Sequence, residues 1–258
     1  MLNFHNLDFT HDKYRQLCSA ISDRYTFLTM HEYVIAGDNL PEKFVLIRHD
    51  VDKLARNALE TANIEKEYGI KATYYFRTHK KAFVPEIIQK IEKMGHEVGY
   101  HYEVLSTAKG DHEKAIKLFE SDVQKFRKIC NLKTICMHGA VLSKYDNREL
   151  WKFYNLEDFG ILGEAYLSTG EDLNYFTDTG RSWNSKNNLR DFIPGKKERI
   201  FAEKTDDLIE LIEKCEISNF YISAHPDRWK SNIVNWSLFW IYDFILNSGK
   251  KILMAVRP

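Results

Sequence analysis

The strongest constraint on this chain is how its short apolar runs end. Phe44-Val45-Leu46-Ile47 leads straight into Arg48-His49-Asp50-Val51-Asp52. A run over His96–His101 ends in His101-Tyr102-Glu103, Thr134–Met137 gives way to His138-Gly139, and Phe220–Ala224 to His225-Pro226. Between such runs lie stretches of helical period. Arg56–Tyr68 carries Ala58, Leu59 and Ala62 on one face, and Pro85 opens a helix with Ile87, Ile88, Ile91 and Met94. Asp111 caps a longer helix with Ile116, Phe119, Val123 and Phe126. Strands that alternate with helices along a whole chain predict an α/β domain with mostly parallel strands. Seven or eight such units predict a barrel, and in a barrel the carboxyl ends of the strands share one mouth.

The remaining elements are read the same way. Ala72–Phe76 is an aromatic strand, Arg148–Tyr154 a short helix, and Gly160–Leu167 and Tyr175–Thr177 further strands. A long loop runs from about Thr179 to Arg199. Thr205 caps a helix, another spans about Ile233–Asn247 with Trp236 and Trp240 packed inward, and Lys251–Val256 is read as a last strand. No linker or repeat divides residues 1–258, so one domain is expected, with its motif-bearing core at about 44–229.

Composition excludes more than it selects. Lys+Arg and Asp+Glu both number 37, so no global field draws nucleic acid or an anionic membrane, and the only basic runs are short ones such as Lys196-Lys197. The four cysteines, Cys18, Cys130, Cys136 and Cys215, form no CxxC pair and read as reduced thiols. The first residues, MLNFHNLDFTHDKYRQ, lack the basic and apolar regions of a signal peptide, and no apolar run approaches about 18 residues. A cytoplasmic location without nucleic-acid or membrane partners is therefore expected; the oligomeric state is open. No glycine-rich phosphate loop is present.

Polar residues at the ends of buried runs are costly unless they serve each other or a ligand. Taken singly, Asp50 and Asp52 read equally well as turn or helix caps, Glu103 as a surface carboxylate, and any one of His101, His138 and His225 as a satisfied half-buried histidine. Their coincidence at strand ends points to a common site. His96 precedes a strand interior and reads as a turn anchor, while His5, His11, His31, His79 and His112 read as surface residues. Aspartate and histidine together suit a divalent ion such as zinc, which activates water and polarises a carbonyl.

At these segments the chain resembles the polysaccharide deacetylase family, carbohydrate esterase family four. RHDVD at 48–52 is similar to the family's TFDDG, GHEVGYH at 95–101 to GHEIGNH, ATYYF at 72–76 to the strand before it, and ISAHPDRW at 222–229 to the final motif. The resemblance implies a distorted (β/α)7 barrel that removes N- or O-linked acetyl groups from sugars. It places Asp50 on the family's general base and His225 on its general acid. The family's metal aspartate falls on Val51, so Asp52 is the substitute. His101 falls on the first metal histidine; the second falls on Leu105, and Glu103 or His138 supplies the missing ligand, with His138 favoured because it ends a strand. The family's Arg-x-Pro-Tyr motif is absent around His138-Gly139. Asp178, Arg181 and Trp183 lie near the fourth motif by order, with Arg181 placed to orient Asp50.

The resulting expectation is a metal-dependent deacetylase. Asp52, His101 and His138 hold a divalent ion (zinc, or nickel, cobalt or manganese), and Tyr102, Trp183 and Trp229 form an aromatic wall for a carbohydrate or small acylated substrate. The rival readings are a C–N hydrolase acting on a non-sugar amide and a non-catalytic sugar-binding protein on the same scaffold.

Overall fold

The computed structural model describes residues 7–140, 142–170, 172–183, 190–193 and 200–256, with side chains of the last helix described through residue 245. His5 and Lys196-Lys197 lie outside the described residues. In chain order the elements are α1 (His11–Ser22), β1 (Thr26–Leu28), α2 (Met30–Ala36), β2 (Phe44–Val51), α3 (Ala55–Glu67), β3 (Thr73–Phe76), α4 (Pro85–Lys93), β4 (Glu97–Tyr102), α5 (Val104–Thr107), α6 (His112–Arg127), β5 (Thr134–Met137), β6 (Gly163–Glu164), β7 (Asn174–Thr177), α7 (Thr205–Glu213), β8 (Asn219–Ala224) and α8 (Ile233–Val256).

Local chemistry starts several helices, two of them, α1 and α2, not read from the sequence; Thr205, expected as a cap, is the first residue of α7 instead. The Thr10 and Asp111 side chains accept the Lys13 and Lys114 backbone N–H groups at 3.1 and 3.0 Å, and Thr29 forms a reciprocal capping box with Glu32. Pro85 occupies the first turn of α4, where its missing N–H costs nothing.

The strands form one parallel sheet in the order β6-β5-β4-β3-β2-β8-β7, with β1 on the lower half of β2. No ladder joins β6 to β7 among the described residues, so the α/β barrel is open along that line. Gly99 is required inside β4: a Cβ there would lie 2.3 Å from the Tyr75 ring, whose hydroxyl crosses the interior to Thr134 Oγ1 at 2.7 Å.

Strand parity then decides what each residue faces. On β2, Arg48 and Asp50 point into the barrel, and Asp52 just beyond its end follows the same parity; His49 points out, to Tyr14 of α1 and Glu65 of α3. On β4, His101 points in, while Tyr100 and Tyr102 pack outward on Phe119 of α6. Cys136 and His138, and Ser223 and His225, share the inward parity.

Arg48 is the central inward group. It is fully buried, its Nε stands 3.0 Å from Asp50 Oδ1, and its Nη atoms donate to the hydroxyls of Tyr166, Tyr175, Tyr221 and Ser223 at 2.7, 3.0, 3.0 and 2.9 Å. Asp191 completes its surroundings at 3.3 Å.

Several expectations are corrected. Residues 251–256 continue α8 and form no strand; Gly249 costs a helix only about 1 kcal/mol and does not end it. Trp240, expected inside, is 47% exposed. The strand expected over Gly160–Leu167 shrinks to Gly163–Glu164, because the Glu164 carboxylate accepts the Tyr166 and Leu167 N–H groups at 2.8 and 2.9 Å and turns the chain. His11 is buried, since the chain after β8 crosses over it and Lys230 O accepts its N–H at 3.0 Å. Cys18, Cys130 and Cys136 are free and buried, and Cys215 is free and exposed.

Candidate metal centre

Asp52, His101 and His138 meet at the barrel mouth. His101 Nε2 stands 3.4 Å and His138 Nε2 3.6 Å from Asp52 Oδ1, and the two rings are 5.2 Å apart at 82°. The other nitrogen of each ring is already committed. His101 Nδ1 meets Cys136 O at 3.0 Å, and His138 Nδ1 meets Glu103 Oε2 at 2.8 Å. A carbonyl and a carboxylate can only accept, so both Nδ1 atoms carry hydrogens. In the neutral rings both Nε2 lone pairs therefore face the Asp52 oxygen. Asp52 Oδ1 is shielded from solvent and receives no hydrogen bond among the described residues. Three electron-pair donors converge with no hydrogen between them, an arrangement that a cation satisfies. A histidine whose far nitrogen is held by a carbonyl or carboxylate is the usual companion of a metal ligand.

Burial pushes the Asp52 carboxyl up, but His138 and His101 outweigh it and hold it well below the usual range. Glu103 is likewise opposed by burial and pulled down to about 2 by His138 and Arg77. Glu103 is thus no surface carboxylate and no ligand; it orients His138.

A second donor group shares His101. Asp50, His101 and Cys136 are the only described residues with three ligand atoms mutually within 4.8 Å, which also means that the two imidazoles straddle Asp52 rather than close a tight triangle with it. This second group suits a cation poorly. Arg48 already neutralises Asp50, and burial raises the Cys136 thiol well above its ordinary value, keeping it a protonated donor toward Asp50 Oδ1 at 3.8 Å.

His225 faces the centre from the end of β8. Its Nδ1 is bonded to Asp178 Oδ1 at 2.7 Å, and Asp178 also accepts from the His225 backbone N–H, Arg228 and Trp229 at 2.9, 2.6 and 3.0 Å. Burial and Arg228 lower the His225 pKa, but Asp178 and then Asp52 more than offset them, so it lies above the ordinary value. Asp50, Asp52, His101, His138, Asp191 and His225 line one cavity of about 120 Å³, which adjoins a groove of about 520 Å³.

The other expected residues fall elsewhere. Arg181 does not reach Asp50; its Nε pairs with Asp243 of α8 at 2.7 Å, and Arg48, two residues before Asp50 on the same strand face, takes that place. Tyr102 is on the outward face of β4, accepting from Trp151 Nε1 at 2.8 Å. Trp183 donates to Thr205 at 2.9 Å and Trp229 to Asp178, both packed on Phe9. All three rings are buried and offer no wall to a ligand. Leu105, where the resemblance seeks a histidine, is a core residue.

Asp191 and Arg190 were not foreseen. Asp191 accepts from Thr177 and Thr179 at 2.5 and 2.7 Å as well as from Arg48, and Arg190 fixes the loop after β5 through Gly139 O and Ser143 O at 2.8 and 2.7 Å. No periodicity in the sequence marks them.

No family model matches the chain, and no curated protein matches it. Solved structures do. A family 4 carbohydrate esterase pseudoenzyme from Bacillus anthracis is 13% identical over 81% of this chain and 62% of its own, with a TM-score of 0.47, so the chain spans under two thirds of its length. A family 4 carbohydrate esterase from Bacillus anthracis is 12% identical over 81% of this chain and 77% of its own, with a TM-score of 0.41. The peptidoglycan deacetylase PdaC from Bacillus subtilis is 14% identical over 84% of this chain and 98% of its own, with a TM-score of 0.39.

Proposed function

We propose that the protein is a metal-dependent hydrolase that removes an acetyl or similar small acyl group from an amine or hydroxyl. The observation that carries this is Asp52 Oδ1, buried without a hydrogen bond between two imidazole nitrogens whose protons are engaged elsewhere. Two nitrogens and one carboxylate oxygen suit zinc, and also nickel, cobalt or manganese. Three protein ligands leave room for water; a divalent ion bound there would polarise the substrate carbonyl and lower the pKa of that water.

This chain's residues supply the remaining proton transfers. Asp50, locked by Arg48 at 3.0 Å, takes a proton from the attacking water. Water oxygen bonds to the acyl carbon, and the C–N or C–O bond breaks. His225, whose pKa Asp178 raises, gives its proton to the departing nitrogen or oxygen. Asp178 and Glu103 hold their imidazoles in single orientations. The cavity of about 120 Å³ fits an acetyl-sized group.

The test is acetate release by zinc-, nickel-, cobalt- or manganese-loaded protein offered N-acetylated sugars beside simple acetamides. Release that requires the ion and is lost on chelation supports the proposal. Release from acetamides alone selects the non-sugar reading, for which the buried aromatics already speak. Bound metal without any release leaves a non-catalytic binding protein.

A further inference from the structure

The groove beside the reactive cluster has a different chemistry from the cluster itself. Its floor is Asp52, His138 and His225, which it shares with the small cavity, so whatever carries the reacting acyl group extends into it. Its walls are apolar: Leu142 on one side, and Phe239, Tyr242 and Ile245 of α8 on the other. Three contacts tether the helix there. Trp236 Nε1 donates to Asp8 O at 2.7 Å, Asp243 pairs with Arg181 at 2.7 Å, and Lys230 sits 3.9 Å over the Phe239 ring. The charged groups in the lining are engaged: Arg77 with Glu103, Arg228 with Asp178, Asp227 with Asn57 and Lys53 with Tyr242. No array of polar groups is left for a train of sugar hydroxyls.

The apolar surface continues out of the groove. Val234, Leu238, Ile241 and Ile245 recur at helical spacing on α8 and are 65%, 60%, 51% and 63% exposed. An exposed, contiguous apolar stripe of this kind marks a binding surface. No described helix is long and apolar enough to cross a membrane.

We infer that the substrate is an acylated amphiphile, with its polar acylated head in the small cavity and an alkyl or aryl tail laid along the groove between Leu142 and α8. The inference rests on the proposed hydrolase reading for the head and on the groove alone for the tail. A polar oligosaccharide would leave those walls wet, whereas each buried methylene of a tail gains about 0.8 kcal/mol, a factor of about four in affinity.

The experiment titrates zinc-loaded protein by calorimetry with methyl, butyl and octyl N-acetylglucosaminides below their aggregation concentrations, and assays acetate release from each. Affinity is expected to rise about fourfold per methylene that enters the groove, and the Leu142→Glu/Ile245→Glu double variant, changed only at exposed positions and checked by circular dichroism, is expected to lose that dependence. Chain-length dependence without acetate release upholds the tail site and removes sugar deacetylation as the reading of the head. Equal affinity for all three tails overturns the inference whatever the hydrolysis shows. Sedimentation that finds a stable dimer, with no tail dependence until the double variant separates it, assigns the face to a second copy and also overturns it.

Discussion

Two carboxylates in this protein each stand beside two histidines, and they are arranged in opposite senses. Glu65, on the outer side of the sheet, meets His49 Nε2 at 2.6 Å, accepts the Tyr14 and Tyr74 hydroxyls at 2.6 Å each, and lies 3.6 Å from His96 Nδ1. It is wholly buried, and burial, which raises its pKa, is outweighed by His49. His96 Nδ1 accepts the Ala72 N–H, but hydrogens from His49, Tyr14 and Tyr74 point at the carboxylate, so it is satisfied within the protein. Around Asp52 the hydrogens of both histidines point away, and lone pairs point in. Asp52 keeps 24% of its side chain exposed beside a cavity, whereas Glu65 has none. Composition does not distinguish a structural cluster from a ligand site; the direction of the hydrogens does.

The comparison can be broken most directly at Asp52. Asp52→Asn should abolish bound metal, measured by elemental analysis, and lower turnover by at least about a thousandfold, since the ion's chemistry is lost outright. Full metal content in that variant would remove the contrast. At Glu65 the effect should fall on stability. Glu65→Gln leaves His49 without its anion and should cost about 3–5 kcal/mol in urea unfolding, with metal content unchanged. The sign of its pH dependence follows from the lowered folded pKa. The unfolded chain takes up the proton first, so Glu65's contribution is complete above its ordinary value of 4.5 and drains away as pH falls through the lowered one. Unfolding midpoints through that acid range should slope less in the variant than in the parent. The smallest effect sharpens the contrast at its edge. Glu103→Gln keeps a hydrogen-bond acceptor for His138 Nδ1 but removes the charge, and metal affinity should drop by about 10–100-fold in competition with a chelator.

Much of this was legible in the chain. The apolar runs, their caps and their polar ends announced β2, β4, β5 and β8 and the helices between them, because period and turn chemistry are local. The convergence of Asp52, His101 and His138 was legible too, since strand-end position and parity act together. Val51 cannot serve where Asp52 does, because alternation turns it to the other face. The same rule, applied to Tyr102, would have removed it from the cavity, and applied to Arg48 would have paired it with Asp50. Asp191, Arg190 and the real positions of Trp183 and Trp229 were not legible. They are fixed by contacts between distant segments, such as Asp191 with Thr177 and Trp183 with Thr205, that carry no periodic signal. β1 escaped because three residues are too short to show alternation.

Arg48 has a consequence for how this scaffold can change. Where the ladder between the outermost strands is missing, its guanidinium stitches Tyr166, beyond one edge, to Tyr175 on the other, and the same cation clamps Asp50. The seam and the proposed base thus hang on one side chain. Drift at that position would loosen the wall and the chemistry together, whereas drift at the ligands could silence the chemistry and leave the wall standing.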